Sequence, residues 1–216
     1  MKEKSAVKIA ILDFDGTLGD TTSVIIKTMQ ATISELDLPA RTDEECAAMI
    51  GLRLIEIPPV LFPECELEGE LYASTYRKLF KIFNTDGAVE LYPNVIETLK
   101  ALDERGITLT IASSRSKSTL IQYVENLGLS SIITYVLGAD DVEQGKPHPE
   151  AVNMTLEHFG LKAEEAIVVG DTIFDVEMGL NAGTRSCGVT YGNGSKESLS
   201  KADYLIDNFA QLLDIV

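Results

Sequence analysis

Lys8-Ile9-Ala10-Ile11-Leu12-Asp13-Phe14-Asp15-Gly16-Thr17-Leu18 opens as an apolar run and stops on two carboxylates that flank a phenylalanine. The run is too short to span a membrane and long enough for one buried strand. A strand that is apolar on both faces suits a parallel α/β sheet, whose ligands collect beyond the carboxyl ends of the strands. Asp13 and Asp15 fall at that end, and side chains two apart on an extended chain point the same way. Read alone, Asp-Gly is ordinary turn chemistry.

After Leu18 the pattern becomes helical. Ile25, Met29, Ile33 and Leu36 recur at helix spacing, which predicts a helix over Thr21–Leu36. Arg41–Met49 reads as a short second helix with acids in its first turn, and Pro58, Pro59 and Pro63 break the chain. Leu67–Phe83 predicts a third helix. Residues 18–88 therefore read as helices only. From Glu90 strands and helices alternate: strands over Ile107–Ala112, Thr134–Leu137, Ala166–Val169, Cys187–Thr190 and Tyr204–Ile206, and helices stopped by Gly106, Gly128, Gly160 and Gly183. Repeated βα units imply a parallel sheet covered on both sides. The expected fold is a Rossmann-like α/β core, residues 1–17 and 89–216, with an α-helical cap, 18–88, inserted after the first strand. The crossings near Gly16–Asp20 and Thr85–Leu91 are the expected hinges.

With 216 residues, 45% apolar and 24% charged, the chain can bury a proper core. A net charge of −16 with no basic block argues against nucleic acid, whose backbone needs a basic face. It leaves room for a small phosphorylated substrate, because a bound divalent cation reverses the sign locally. Cys46, Cys65 and Cys187 are widely spaced and odd in number, and are read as free thiols. Met1–Ser5 lacks the apolar region of a signal peptide, and no apolar run reaches transmembrane length. A soluble, cytoplasmic protein without a membrane partner is expected, as monomer or homodimer.

Four apolar residues followed by Asp-Phe-Asp-Gly-Thr-Leu resemble the first signature motif of the haloacid dehalogenase superfamily. Most of its members transfer phosphoryl groups through an aspartate. Three further stretches match in order: Ile107–Ser114, a strand ending in two hydroxyls; Gly145-Lys146-Pro147-His148-Pro149; and Ile167-Val168-Val169-Gly170-Asp171-Thr172-Ile173-Phe174-Asp175. The helical insert is similar to that of the superfamily's helical-cap subgroup, near its phosphoglycolate-phosphatase and β-phosphoglucomutase branches.

The resemblance implies roles. Asp13 is the nucleophile and forms an aspartyl-phosphate; Asp15 is the general acid and base. Ser113, helped by the Ser114 backbone N–H, binds the transferring phosphate, although serines after a strand are also ordinary helix caps. Lys146 neutralises charge. Mg²⁺ is held by the Asp13 carboxylate, the Asp15 backbone carbonyl and Asp171, with Asp175 binding directly or through water. In the cap, Arg53 of Gly51-Leu52-Arg53 either reaches an anionic substrate tail or pairs with Glu56. Arg115 reads as a surface salt bridge, with substrate contact as the lesser alternative. His148 reads as a turn residue, and Glu64, Glu66, Glu68 and Glu70 as a solvated face. Gly170 stands where the mutase branch carries a glutamate, which favours hydrolysis. The expected activity is Mg²⁺-dependent hydrolysis of small phosphorylated metabolites, phosphoglycolate-phosphatase-like. The alternatives are a β-phosphoglucomutase-like isomerase, a pyrophosphatase, or a catalytically silent phosphate-binding protein.

Overall fold

The computed structural model describes residues 6–85 and 87–216. The amino-terminal segment 1–5 and Asp86, which falls in the second expected hinge, lie outside the described residues. The elements run β1 (Ile9–Leu12), β2 (Gly19–Asp20), α1 (Thr22–Glu35), α2 (Asp43–Ala47), α3 (Ile57–Leu61), α4 (Gly69–Phe83), β3 (Glu90–Leu91) and α5 (Val95–Glu104). They continue with β4 (Thr108–Ala112), α6 (Lys117–Asn126), β5 (Ile133–Leu137), α7 (Glu150–Phe159), β6 (Ala166–Gly170), α8 (Ile173–Asn181), β7 (Arg185–Val189) and β8 (Tyr204–Ile206).

Six strands form one sheet in the order β5-β4-β1-β6-β7-β8, and every pairing is parallel. β1 is wholly buried, as its unbroken apolar run requires. Its side chains alternate between two apolar layers. Ala10 and Leu12 join a cluster with Leu99, Leu102 and Leu120, whereas Ile9 and Ile11 pack with Val152, Leu156 and Met178. The chain moves from β1 to one side, then returns through β6 to the other, which makes the β1 edge a switch point where ligands gather. Leu12 is in register with Ile111 of β4 and Val169 of β6. The next residues on these three strands, Asp13, Ala112-Ser113 and Gly170-Asp171, therefore meet at one end of the sheet.

Phe14 continues the alternation: it is fully buried and stacks on Tyr123 with ring centroids 5.0 Å apart. Anchoring Phe14 inward turns Asp13 and Asp15 together toward the site. Gly16 then reverses the chain with φ +81°, and a Cβ there would lie 2.1 Å from Asp171 Oδ2.

Residues 18–88 are not helices alone. Gly19–Asp20 is a short strand that pairs antiparallel with Glu90–Leu91, so the two crossings between insert and core form one ribbon. Two-residue strands carry no periodicity, which is why sequence reading passes over them. Pro58 and Pro59 sit in the first turn of α3, where a missing N–H costs no hydrogen bond. α2 starts on a reciprocal capping box between Thr42 and Glu45. Glu64, Glu66, Glu68 and Glu70 are all exposed, and the three cysteines are free, Cys46 and Cys187 buried and Cys65 half-buried. Among the described residues no helix is long and apolar enough to cross a membrane.

Candidate active site

The end of β1 delivers Asp13, the end of β6 delivers Asp171, and the first turn of α8 delivers Asp175. All three are buried, and one carboxylate oxygen from each lies within 4.8 Å of the others. Lys146, from the turn before α7, enters this cluster and donates from Nζ to Asp13 Oδ1 at 2.5 Å and to Asp175 Oδ1 at 2.6 Å. Burial pulls the Lys146 ammonium down, but the Asp13 and Asp175 carboxylates outweigh it and hold it above the ordinary lysine value. Burial raises Asp13 well above the usual carboxylate range, and Asp175, Asp171 and Asp15 raise it further. Burial and Asp175 push Asp171 up to about 7.

Asp175 is occupied on both oxygens. Oδ1 accepts from Lys146, and Oδ2 accepts from the Thr172 N–H at 3.0 Å and the Thr172 hydroxyl at 2.6 Å. Asp171 Oδ2 accepts from the Asn193 backbone and side-chain N–H groups at 2.7 and 2.8 Å, and Oδ1 accepts from the Thr17 hydroxyl at 3.4 Å. Asp13 Oδ2 receives no hydrogen bond from a described residue. Three carboxylates against one ammonium leave two excess negative charges in a buried space; Asp13 Oδ2 has no donor among the described residues, and Asp171 Oδ1 has only the long Thr17 hydrogen bond. Such hard oxygen donors fit a divalent cation such as Mg²⁺. Asp175 suits an orienting role better than direct ligation, because its oxygens already have partners.

Position 170 has no room for a side chain. A Cβ on Gly170 would stand 2.2 Å from the Asp175 Cβ, so Asp175 fills the space into which a glutamate at 170 would project.

Asp15 is held differently. Both its oxygens accept from Arg115, at 2.7 to 3.1 Å. Arg115 is half-buried at the cleft, its guanidinium 4.7 Å from the Phe80 ring centroid and 5.3 Å from that of Tyr123. Arg115 is thus a site residue and not the surface salt bridge its sequence position suggested; nothing local in sequence shows that α4 covers it. Burial works against its charge, and Asp15 outweighs burial to hold the guanidinium above its ordinary value.

Ser113 is buried, and its hydroxyl accepts from the Arg115 N–H at 3.3 Å. The Ser114 hydroxyl donates to the Gly51 carbonyl at 2.6 Å, joining the core to the loop that carries Arg53. Arg53 adopts the pairing with Glu56, at 2.5 and 2.9 Å, and also donates to the Glu143 carbonyl across the cleft at 2.8 Å. His148 lies 3.9 Å from Glu150, and His158 stacks on Tyr135; neither joins the carboxylate cluster. A cavity of about 490 Å³ opens from Asp13, Asp15 and Ser113 toward α1, α4 and the loop after α2.

Comparison with known proteins agrees with this geometry. Residues 10–189 match the model of the haloacid dehalogenase-like hydrolase family. A pyrophosphatase PpaX from Listeria innocua is 34% identical over 95% of this chain and 94% of its own length. A phosphoglycolate phosphatase from Vibrio vulnificus is 32% identical over 97% of this chain and 96% of its own. In fold, the chain superimposes on a haloacid dehalogenase-like family hydrolase from Streptococcus pneumoniae with TM-score 0.83, 23% identity and coverage of 97% and 98%. A hydrolase from Pseudomonas syringae gives TM-score 0.86 at 21% identity, covering 96% and 97%. With the family match spanning most of its length, the chain belongs to the haloacid dehalogenase-like hydrolase family and is an enzyme of its phosphatase kind.

Proposed function

We propose that the enzyme hydrolyses phosphate monoesters of small metabolites in a Mg²⁺-dependent reaction through a phosphorylated Asp13. One observation carries the reading: the Asp13 carboxylate is held by Lys146 at 2.5 Å and lines the cavity between core and insert.

Asp13 Oδ2 attacks phosphorus, the bond to the leaving oxygen breaks, and Asp15 supplies that oxygen with a proton. Water then loses a proton to Asp15, attacks the phosphoryl group and frees Asp13. Arg115 orients Asp15 and must release one of its oxygens for each transfer. Lys146 neutralises charge on the nucleophile, and Ser113 with the Ser114 backbone N–H holds the phosphoryl oxygens. Asp13, the Asp15 carbonyl and Asp171 would hold Mg²⁺, with Asp175 acting through Thr172 and Lys146. The bound cation would reduce repulsion between Asp13 and the incoming phosphate.

Residues 18–88 act as a cap over the core of 1–17 and 89–216, with the β2–β3 ribbon as the shared crossing. The lack of room at Gly170 favours hydrolysis over mutase chemistry.

Two outcomes test this. Chelator should abolish phosphate release and Mg²⁺ should restore it. At 100 times its dissociation constant, Mg²⁺ should also stabilise the fold by about 2.7 kcal/mol, raising Tm by about 5–10 °C. Asp171→Ala should lose most of that Tm shift; undiminished activity in chelator would remove the metal from the reaction. Second, Arg53→Ala should lower kcat/KM about equally, within a factor of about 3, for an ester with a carboxylate tail and for a neutral-tailed one. The reason is that each guanidinium nitrogen of Arg53 is already engaged, Nε and Nη2 by Glu56 and Nη1 by the Glu143 carbonyl. A loss confined to the carboxylate substrate, on the order of tenfold or more, would make Arg53 the anchor of that tail instead.

A further inference from the structure

The cavity above Asp13 carries information about the alcohol that leaves. Part of its wall is apolar: Ile25 and Met29 from α1, Leu52, Leu54 and Ile55 from the loop after α2, and Phe80 from α4; Ser116, Ser118 and Thr119 add hydroxyls. Leu52 and Leu54 are only half-buried and Ile55 is exposed, so part of this wall is uncovered. The arginines around the cavity already have carboxylate partners: Arg115 with Asp15, Arg53 with Glu56 and Arg77 with Glu70. Lys81, exposed at the mouth, is the cavity cation with no ion pair among the described residues, and a solvated lysine attracts an anion only weakly. Asp140 adds a further carboxylate to the lining.

Beyond the exposed Lys81 and Arg77, a second anion entering this space would have to take Arg115 from Asp15 or Arg53 from Glu56, leaving a carboxylate without its partner. An apolar group instead covers exposed hydrocarbon at no such cost. Size points the same way. About 490 Å³ is within the range of pockets that enclose drug-sized ligands. The two-carbon fragment of phosphoglycolate, or the second phosphate of pyrophosphate, would leave most of it filled with water.

We infer that the leaving group is a neutral, largely apolar alcohol, an aryl or medium-chain alkyl group seated between α1, α4 and the loop after α2. This rests on the phosphatase reading above and specifies the substrate class for that site.

The test is kcat/KM, with saturating Mg²⁺, for ethyl, butyl and hexyl phosphate, with phosphoglycolate and pyrophosphate as comparators. The expected result is a rise of about two- to fourfold per added methylene, with hexyl phosphate exceeding both comparators by about tenfold or more. Leu54→Asp should flatten that rise, and the wild-type series decides the matter if the variant does not fold. A flat wild-type series, or either comparator outperforming hexyl phosphate, would overturn the apolar leaving group while leaving the phosphatase reading intact. Hydrolysis of none of the five would overturn the phosphatase reading and this inference with it.

Discussion

Asp13→Asn should lower turnover by about 10³-fold or more, equivalent to about 4 kcal/mol of barrier. The substitution keeps the shape of the side chain and removes the negative oxygen that attacks phosphorus. It should do so without unfolding the protein, because Lys146 keeps Asp175 at 2.6 Å as a counter-charge. Burial first, and the neighbouring carboxylates after it, hold Asp13 above its ordinary value, and a neutral amide there removes that cost. Tm without Mg²⁺ should therefore hold within a few degrees or rise. Turnover within tenfold of wild type, measured on a variant checked by mass for reversion to aspartate, would rule out Asp13 as nucleophile.

Lys146→Met should damage both stability and rate. The ammonium is the shared partner of two buried carboxylates, and removing one member of a buried pair costs about 3–5 kcal/mol. For a chain of this length that corresponds to about 6–20 °C in Tm, read by thermal unfolding without metal. Added Mg²⁺ should recover part of the loss by supplying positive charge to the same cluster. Turnover at saturating Mg²⁺ should still fall about 10²- to 10³-fold, the usual consequence of losing one fixed charge-stabilising donor. A Tm change under 2 °C would show that Lys146 is not the counter-charge of the cluster.

The sheet and its central strand are legible in the sequence because burial on both faces leaves no alternative pattern for Ile9–Leu12. Asp13, Lys146, Asp171 and Asp175 are legible too, since each closes an apolar run or a rigid turn, and the structure brings all four together. What sequence leaves out depends on contacts distant along the chain. Arg115 is 100 residues from Asp15, and only the placement of α4 over the cleft buries it. Asn193 holds Asp171 from a loop between β7 and β8. Its signal was the pair of glycines on either side, whose lack of a Cβ lets that loop lie against Asp171. The β2–β3 ribbon was hidden for another reason: two residues per strand are too few to show alternation. Arg53 was legible as a candidate, but its choice between Glu56 and a substrate anion depends on side-chain geometry that spacing does not encode.

The most direct test of the covalent reaction is an acid quench during steady turnover of a ³²P-labelled phosphate ester. Peptide mapping of the protein-bound label would follow. The expected result is an acid-stable, hydroxylamine-labile phosphoryl group on the peptide containing Asp13, absent from Asp13→Asn. Full turnover with no protein-bound label in a quench repeated under single-turnover conditions, or label on Ser113 instead, would contradict a phosphorylated Asp13.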